Sequence, residues 1–179
     1  NLSPAHIDFL KSYENYKYVK SKLFKNQDSS DVAIANMENN DVLEITKNIK
    51  SQVKYFSSAK EINGCYLKDG AIYYYGNKVI DTDSIFIAGK HNLENCMAAI
   101  AMAYVCNINL DTLKHILKTF KAVEHRLEYV RTINDIMFVN DSKATNPDSS
   151  IKAVQSYNRP IVLIAGGMDK QSSFDEFLD

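Results

Sequence analysis

Two stretches constrain this chain most: DVAIAN, residues 31–36, and RPIVLIAGG, residues 159–167. Both are apolar on nearly every residue and show no alternation. A strand with one wet face alternates, so a short continuous apolar run marks a strand covered on both faces, as in parallel sheets flanked by helices. Between DVAIAN and a further strand, VKYFS (53–57), lies the amphipathic ENNDVLEITKNIKS (38–51). Strand, helix, strand is the α/β pattern. GCYLKDGAIYYYGNKVI (64–80) then alternates around two turn signals, Asp69-Gly70 and Gly76-Asn77, and predicts an antiparallel meander at a sheet edge.

Helical spacing accounts for much of the remainder. Pro4 can open a helix, and FLKSYENYKYVKSKLF (9–24) repeats its apolar and aromatic residues at helical intervals. HNLENCMAAIAMAYVCN (91–107) is rich in small residues and predicts close packing. LDTLKHILKTF (110–120) places Leu110, Leu113, Ile116, Leu117 and Phe120 on one face. After KAVEHR the pattern changes, which places a domain boundary near residue 123. LEYVRTINDIMFVND (127–141) predicts two strands around Asn134-Asp135, and NPDSSIKAVQSY (146–157) a helix with Pro147 near its first position. RPIVLIAGG reads as a buried parallel strand ending in glycines.

Composition narrows the function classes. Lys plus Arg number 21 against 22 for Asp plus Glu, so no global charge argues for nucleic acid or a membrane surface. Cys65, Cys96 and Cys106 lack CxxC spacing and read as buried free thiols in a reducing compartment. No apolar run approaches membrane-span length and no signal peptide is visible. The chain starts in turn chemistry without Met and stops in FDEFLD, so both ends read as cut and the chain as a fragment.

The chemistry-bearing residues cluster at strand ends. In open α/β sheets ligands bind beyond the carboxyl ends of parallel strands, and VNDSKATN (139–146) and AGGMDK (165–170) read as two such ends, each with a lysine, Lys143 and Lys170. An anionic ligand fits both. The alternative is that Asp141 caps a turn and Lys143 is solvated. In HNLEN, Asn92 and Asn95 are three apart, so both amides can face one side, or Asn92 can simply cap the helix. Arg126 can pair with Glu124 or Glu128, or clamp a phosphate. His6 and Lys20 lie 14 residues apart, a spacing that does not itself imply a shared site. No GxxxxGK[ST] phosphate loop occurs; AGKHN lacks its first glycine and its hydroxyl.

Five segments in order resemble the Mur ligases of peptidoglycan synthesis, nearly end to end. They are HIDFLKSYENYKYVKSKLFKNQ, GKHNLENCMAAIA, FKAVEHRLEYV, VNDSKATNP and LIAGGMDK. NDSKATN points to the D-glutamate-adding members rather than to their relatives or to folylpolyglutamate synthases. The resemblance implies an α/β fold: residues 1–122 as the second half of a central ATPase domain, with a mostly parallel sheet and an antiparallel edge, and 123–179 as the start of a truncated Rossmann-like C-terminal domain. It implies ATP, two Mg²⁺ sites in the intact enzyme, and carbon dioxide held as a lysine carbamate on Lys20. His6 and Lys20 are then metal-site residues. Asn92, Asn95, Arg126 and Asp141 contact the nucleotide, Lys143 faces the ATP phosphates, and Thr145 and Lys170 hold D-glutamate. UDP-N-acetylmuramoyl-L-alanine and D-glutamate are the implied substrates, in a cytoplasmic enzyme that is monomeric when intact and binds neither nucleic acid nor membrane. The fragment itself is expected to be inactive. The competing readings are another ATP-dependent amino-acid ligase of the superfamily and a non-catalytic nucleotide-binding module.

Overall fold

The computed structural model describes residues 1–4, 7–87, 89–121, 123–168 and 175. They form two compact units: residues 1–86 with 90–119, and residues 87–89 with 120–179.

The first unit is built on a five-stranded sheet. Its strands are β1 (Val32–Asn36), β2 (Gln52–Ser57), β3 (Cys65–Lys68), β4 (Ala71–Tyr74) and β5 (Asn77–Asp81), in spatial order β1-β2-β3-β4-β5. β1, β2 and β3 run parallel, with Ala35 opposite Tyr55 and Phe56 opposite Cys65. β3, β4 and β5 are antiparallel. The first meander turn is Asp69-Gly70, both with positive φ (46° and 71°), as the twist-matched two-residue hairpin requires. The second lies at Tyr75-Gly76 (48° and 80°), one residue before the predicted Gly76-Asn77.

Helices cover both faces, which is why β1 does not alternate. Ala35 packs with Tyr16 of α2 (Tyr13–Ser21) and Val42 of α3 (Asn40–Thr46). The next side chain, Asn36, reaches Glu94 of α4 (Lys90–Val105) on the other side. The small residues of α4 let it lie close on β1, β2 and β3, burying Cys96, Met97, Ile100 and Ala101. Its neighbour α5 (Leu110–Thr119) buries Leu113 and Leu117; Ile116 and Phe120, predicted on the same face, stay exposed.

The N-terminal helical segment is not one helix. It breaks between α1 (Ile7–Leu10) and α2. Lys11 turns left-handed (φ 67°), and the Ser12 side chain accepts a hydrogen bond from the Asn15 amide, capping α2. A serine cap satisfies an orphan amide that helix continuation would otherwise use, and here the cap prevails over periodicity.

The second unit contains a hairpin, β6 (Glu128–Ile133) and β7 (Ile136–Asn140), turning at Asn134-Asp135, both at positive φ. Helix α6 (Pro147–Val154) follows, capped by the Asn146 side chain accepting from the Ser149 amide at 2.8 Å. Two expectations are corrected here. β7 pairs antiparallel with β6, so Asn140 does not end a parallel strand among the described residues. RPIVLIAGG is neither strand nor buried: Val162 is 94% and Ile164 95% exposed. A strand exists only through a partner ladder, and no described strand pairs with this run. No described helix is long and apolar enough to cross a membrane.

Candidate functional site

In the first unit, polar groups gather where parallel strands β1 and β2 end. β1 finishes in Asn36, which is buried, and β2 in Ser57, with no exposed surface. Asn36 Oδ1 accepts from the Glu38 amide at 2.9 Å. The Glu38 carboxylate accepts from the Ser57 hydroxyl and, at 3.1 Å, from the Ser58 amide. The start of α4 closes over these strand ends. Glu94 accepts from Asn1 Nδ2 at 2.8 Å, Ser58 Oγ at 3.1 Å and Asn36 Nδ2 at 3.4 Å. On the same helix Asn95 Nδ2 comes within 3.5 Å of Asn92 Oδ1; Asn92 is buried and Asn95 exposed. The i, i+3 spacing thus brings the two amides together, with Asn95 the one presented outward.

Lys20 stands on α2 with its Nζ 5.4 Å from the centre of the Tyr16 ring and no carboxylate partner among the described residues. Lys17, one turn earlier, differs. Its Nζ lies 3.0 Å from both Glu14 and Glu44 and 3.5 Å from Asp41, and hydrogen bonds to the two glutamates raise its pKa. Tyr13 donates to Asp41 at 2.6 Å, and burial together with that bond pushes it up to about 12. His6 lies outside the described residues, so its relation to Lys20 is not defined.

In the second unit two loops are laced together. Residues 124–127 carry two non-glycine left-handed positions, His125 (φ 66°) and Leu127 (φ 45°). The Leu127 amide donates to Asp141 Oδ1 at 3.0 Å, the Lys143 amide to the His125 carbonyl at 3.0 Å, and the His125 amide to Glu128 Oε2 at 2.8 Å. Asn140 Nδ2 lies 2.9 Å from His125 Nδ1. Asp141 therefore does cap a turn. Glu124 and Glu128 flank the His125 ring, at 3.8 Å and 3.4 Å, rather than Arg126. That leaves the Arg126 and Lys143 side chains exposed and without an ionic partner among the described residues. Thr145 is exposed just before the α6 cap, and Lys170 lies outside the described residues. Sequence reasoning missed His125, Glu128 and Asn140 in one loop pair, and Asn36, Glu38, Ser58 and Glu94 in the other. The available signal was a polar residue closing each apolar strand.

Of the thiols, Cys65 and Cys96 are buried and raised, to about 12 and about 11, chiefly by burial. Cys106, predicted buried, is exposed, because it follows the last turn of α4.

The sequence and fold have well-defined relatives. The chain is 46% identical to UDP-N-acetylmuramoylalanine–D-glutamate ligase of Clostridioides difficile (strain 630), over all of this chain and 41% of that protein. It is also 46% identical to the ligase of the same name from Thermoanaerobacter sp. (strain X514), over 99% of this chain and 40% of that one. The chain thus spans about 40% of the length of these curated relatives. Among solved structures, MurF from Acinetobacter baumannii superposes with a TM-score of 0.74 at 20% identity, covering 87% of this chain and 35% of that one. The sequence profile of the Mur ligase middle domain matches residues 1–103, the segment that carries β1 to β5 and the Asn92 and Asn95 helix. With more than half its residues matching that profile, the chain belongs to the Mur ligase family.

Proposed function

We propose that this chain is part of an ATP-dependent amide ligase that adds D-glutamate to UDP-N-acetylmuramoyl-L-alanine in peptidoglycan synthesis, a monomeric cytoplasmic enzyme. The observation that carries the reading is 46% identity along the whole chain to proteins bearing that name, against 20% to a structural neighbour of different name. Residues 1–122 belong to the central ATP-binding domain and 123–179 to the start of the C-terminal domain.

The site residues fit this chemistry. The alanyl carboxylate attacks the γ-phosphate of ATP and releases ADP, and the D-glutamate amine then attacks the acyl carbon of the acyl phosphate, loses a proton and expels phosphate. Asn92 and Asn95 take the adenine and ribose region, and Arg126 and Asp141 further parts of the nucleotide. Lys143, with no acidic partner among the described residues, meets the negative charge developing on the transferred phosphoryl group. Thr145 and Lys170 hold the D-glutamate carboxylates.

No trio of His, Cys, Asp or Glu among the described residues forms a metal cage. Mg²⁺ needs few protein ligands when phosphates and water fill its octahedron, so His6 and a carbamylated Lys20 suffice. Lys20 suits carbamylation better than Lys17, because an amine held by carboxylates keeps its proton and cannot attack carbon dioxide. Bound Mg²⁺ supplies charge neutralisation at the phosphates.

Phosphate release tests the proposal. A full-length ligase carrying this segment should release phosphate only when ATP, the uridine nucleotide and D-glutamate are all present. The 179-residue chain, which has no GxxxxGK[ST] loop, should not turn over. Turnover of the isolated chain at about 1 to 1,000 per second, or full-length activity with an amino acid other than D-glutamate, refutes it.

A further inference from the structure

We propose that Glu94 is a positioning residue: it fixes the rotation of α4 so that Asn92 and Asn95 meet the nucleotide. The inference rests on the nucleotide reading of those two asparagines.

Glu94 sits between them in sequence and ties the helix to three separate segments. Its two carboxylate oxygens accept from Asn1, from Ser58 just past β2, and from Asn36 at the end of β1. Besides Asn92, α4 buries Cys96, Met97, Ile100 and Ala101 and stacks Tyr104 on Tyr74, all beyond its first turn. That packing fixes the middle and far end of the helix, whereas its first turns, which carry Asn92 and Asn95, have no buried apolar side chain among the described residues to hold them. Hydrogen bonds are directional, and three of them converging on one carboxylate define both the turn and the height of the helix. Side-chain tips lie about 5 to 6 Å from a helix axis, so a rotation of roughly 10° moves them by about 1 Å. A displacement of that size in a binding array costs up to about a hundredfold.

The carboxylate is replaceable in shape. A glutamine at position 94 can aim its oxygen at the Asn1 and Asn36 amides and its nitrogen at Ser58 Oγ, preserving all three links. An alanine removes them; the Asn36 amide, in a buried side chain, keeps only its bond to Asn1 Oδ1, so the tie between α4 and the strand ends is lost.

The test is steady-state kinetics on full-length ligase carrying this segment, with Glu94→Ala, Glu94→Gln and Asn95→Ala. Glu94→Ala should raise KM for ATP roughly tenfold, the worth of a charged hydrogen-bond set partly exposed to water. Its kcat and its KM for D-glutamate should stay within about threefold of wild type. Glu94→Gln should lie within about twofold of wild type throughout. A purely structural role lowers the active fraction, and so kcat, without moving KM. Glu94→Ala with unchanged KM for ATP while Asn95→Ala raises it overturns this proposal alone. Glu94→Gln as impaired as Glu94→Ala also overturns it, since charge rather than placement would then matter. Asn95→Ala with unchanged KM for ATP overturns the nucleotide reading and the Glu94 proposal with it.

Discussion

Replacing Asp141 by alanine separates the two loops that carry Arg126 and Lys143. Oδ1 of Asp141 accepts the Leu127 amide at 3.0 Å, and both residues are half-buried. A hydrogen bond to a charged acceptor contributes about 1.5 to 3 kcal/mol, and partial exposure puts this one near 1.5 kcal/mol. The loop it holds is strained, since His125 and Leu127 sit at φ 66° and 45°. Left-handed backbone costs a non-glycine residue roughly 1 kcal/mol, and relief of that strain partly offsets the lost bond. The net destabilisation should be about 1 kcal/mol in urea unfolding. The local effect is larger, because the released loop relaxes toward right-handed backbone and drags the Lys143 amide off the His125 carbonyl. Hydrogen exchange of the Leu127 and Lys143 amides should accelerate about tenfold, the equivalent of 1.4 kcal/mol. Asp141→Asn keeps an oxygen acceptor and should lose less than about half as much, since neutral hydrogen bonds are roughly half as strong. Exchange of the Leu127 amide in Asp141→Ala within about twofold of wild type refutes the reasoning.

A Cβ at Gly64 would stand 2.4 Å from the Tyr55 carbonyl oxygen, main chain in the parallel ladder that cannot yield. Gly64→Ala should therefore cost about 3 kcal/mol by urea denaturation, whereas Gly166→Ala, with open space around it, should be neutral. The Cys65 and Cys96 thiols are raised from 9.0 to about 12 and about 11, so the stability they contribute is complete below pH 9 and is lost as pH rises toward 11 to 12. Urea midpoints between pH 8 and 11 should fall, and fall less steeply in Cys65→Ala/Cys96→Ala; equal slopes refute the assignment. Lys143→Ala in full-length ligase should lower kcat about a hundred- to thousandfold with an unchanged melting curve, because among the described residues Lys143 is held through its backbone amide and not its side chain; rates within about threefold of wild type contradict the role.

Much of the local structure in both units is determined by sequence alone. An unbroken apolar run such as VAIA needs cover on both faces, and Asp69-Gly70 and Asn134-Asp135 permit the positive φ values that two-residue hairpins demand. Those are local rules, satisfied wherever the residues occur. The three-residue spacing of Asn92 and Asn95 likewise brings their amides together on any helix. Tertiary structure decided what depends on partners distant along the chain. His125 took up Glu124 and Glu128, leaving Arg126 without an ionic partner among the described residues, because Asn140 and Asp141, some 14 residues away, hold that loop in its left-handed shape. RPIVLIAGG shows the limit most clearly. Its composition suits a buried strand, but a strand is a relation between chains of backbone amides and carbonyls, and among the described residues no second chain lies beside it.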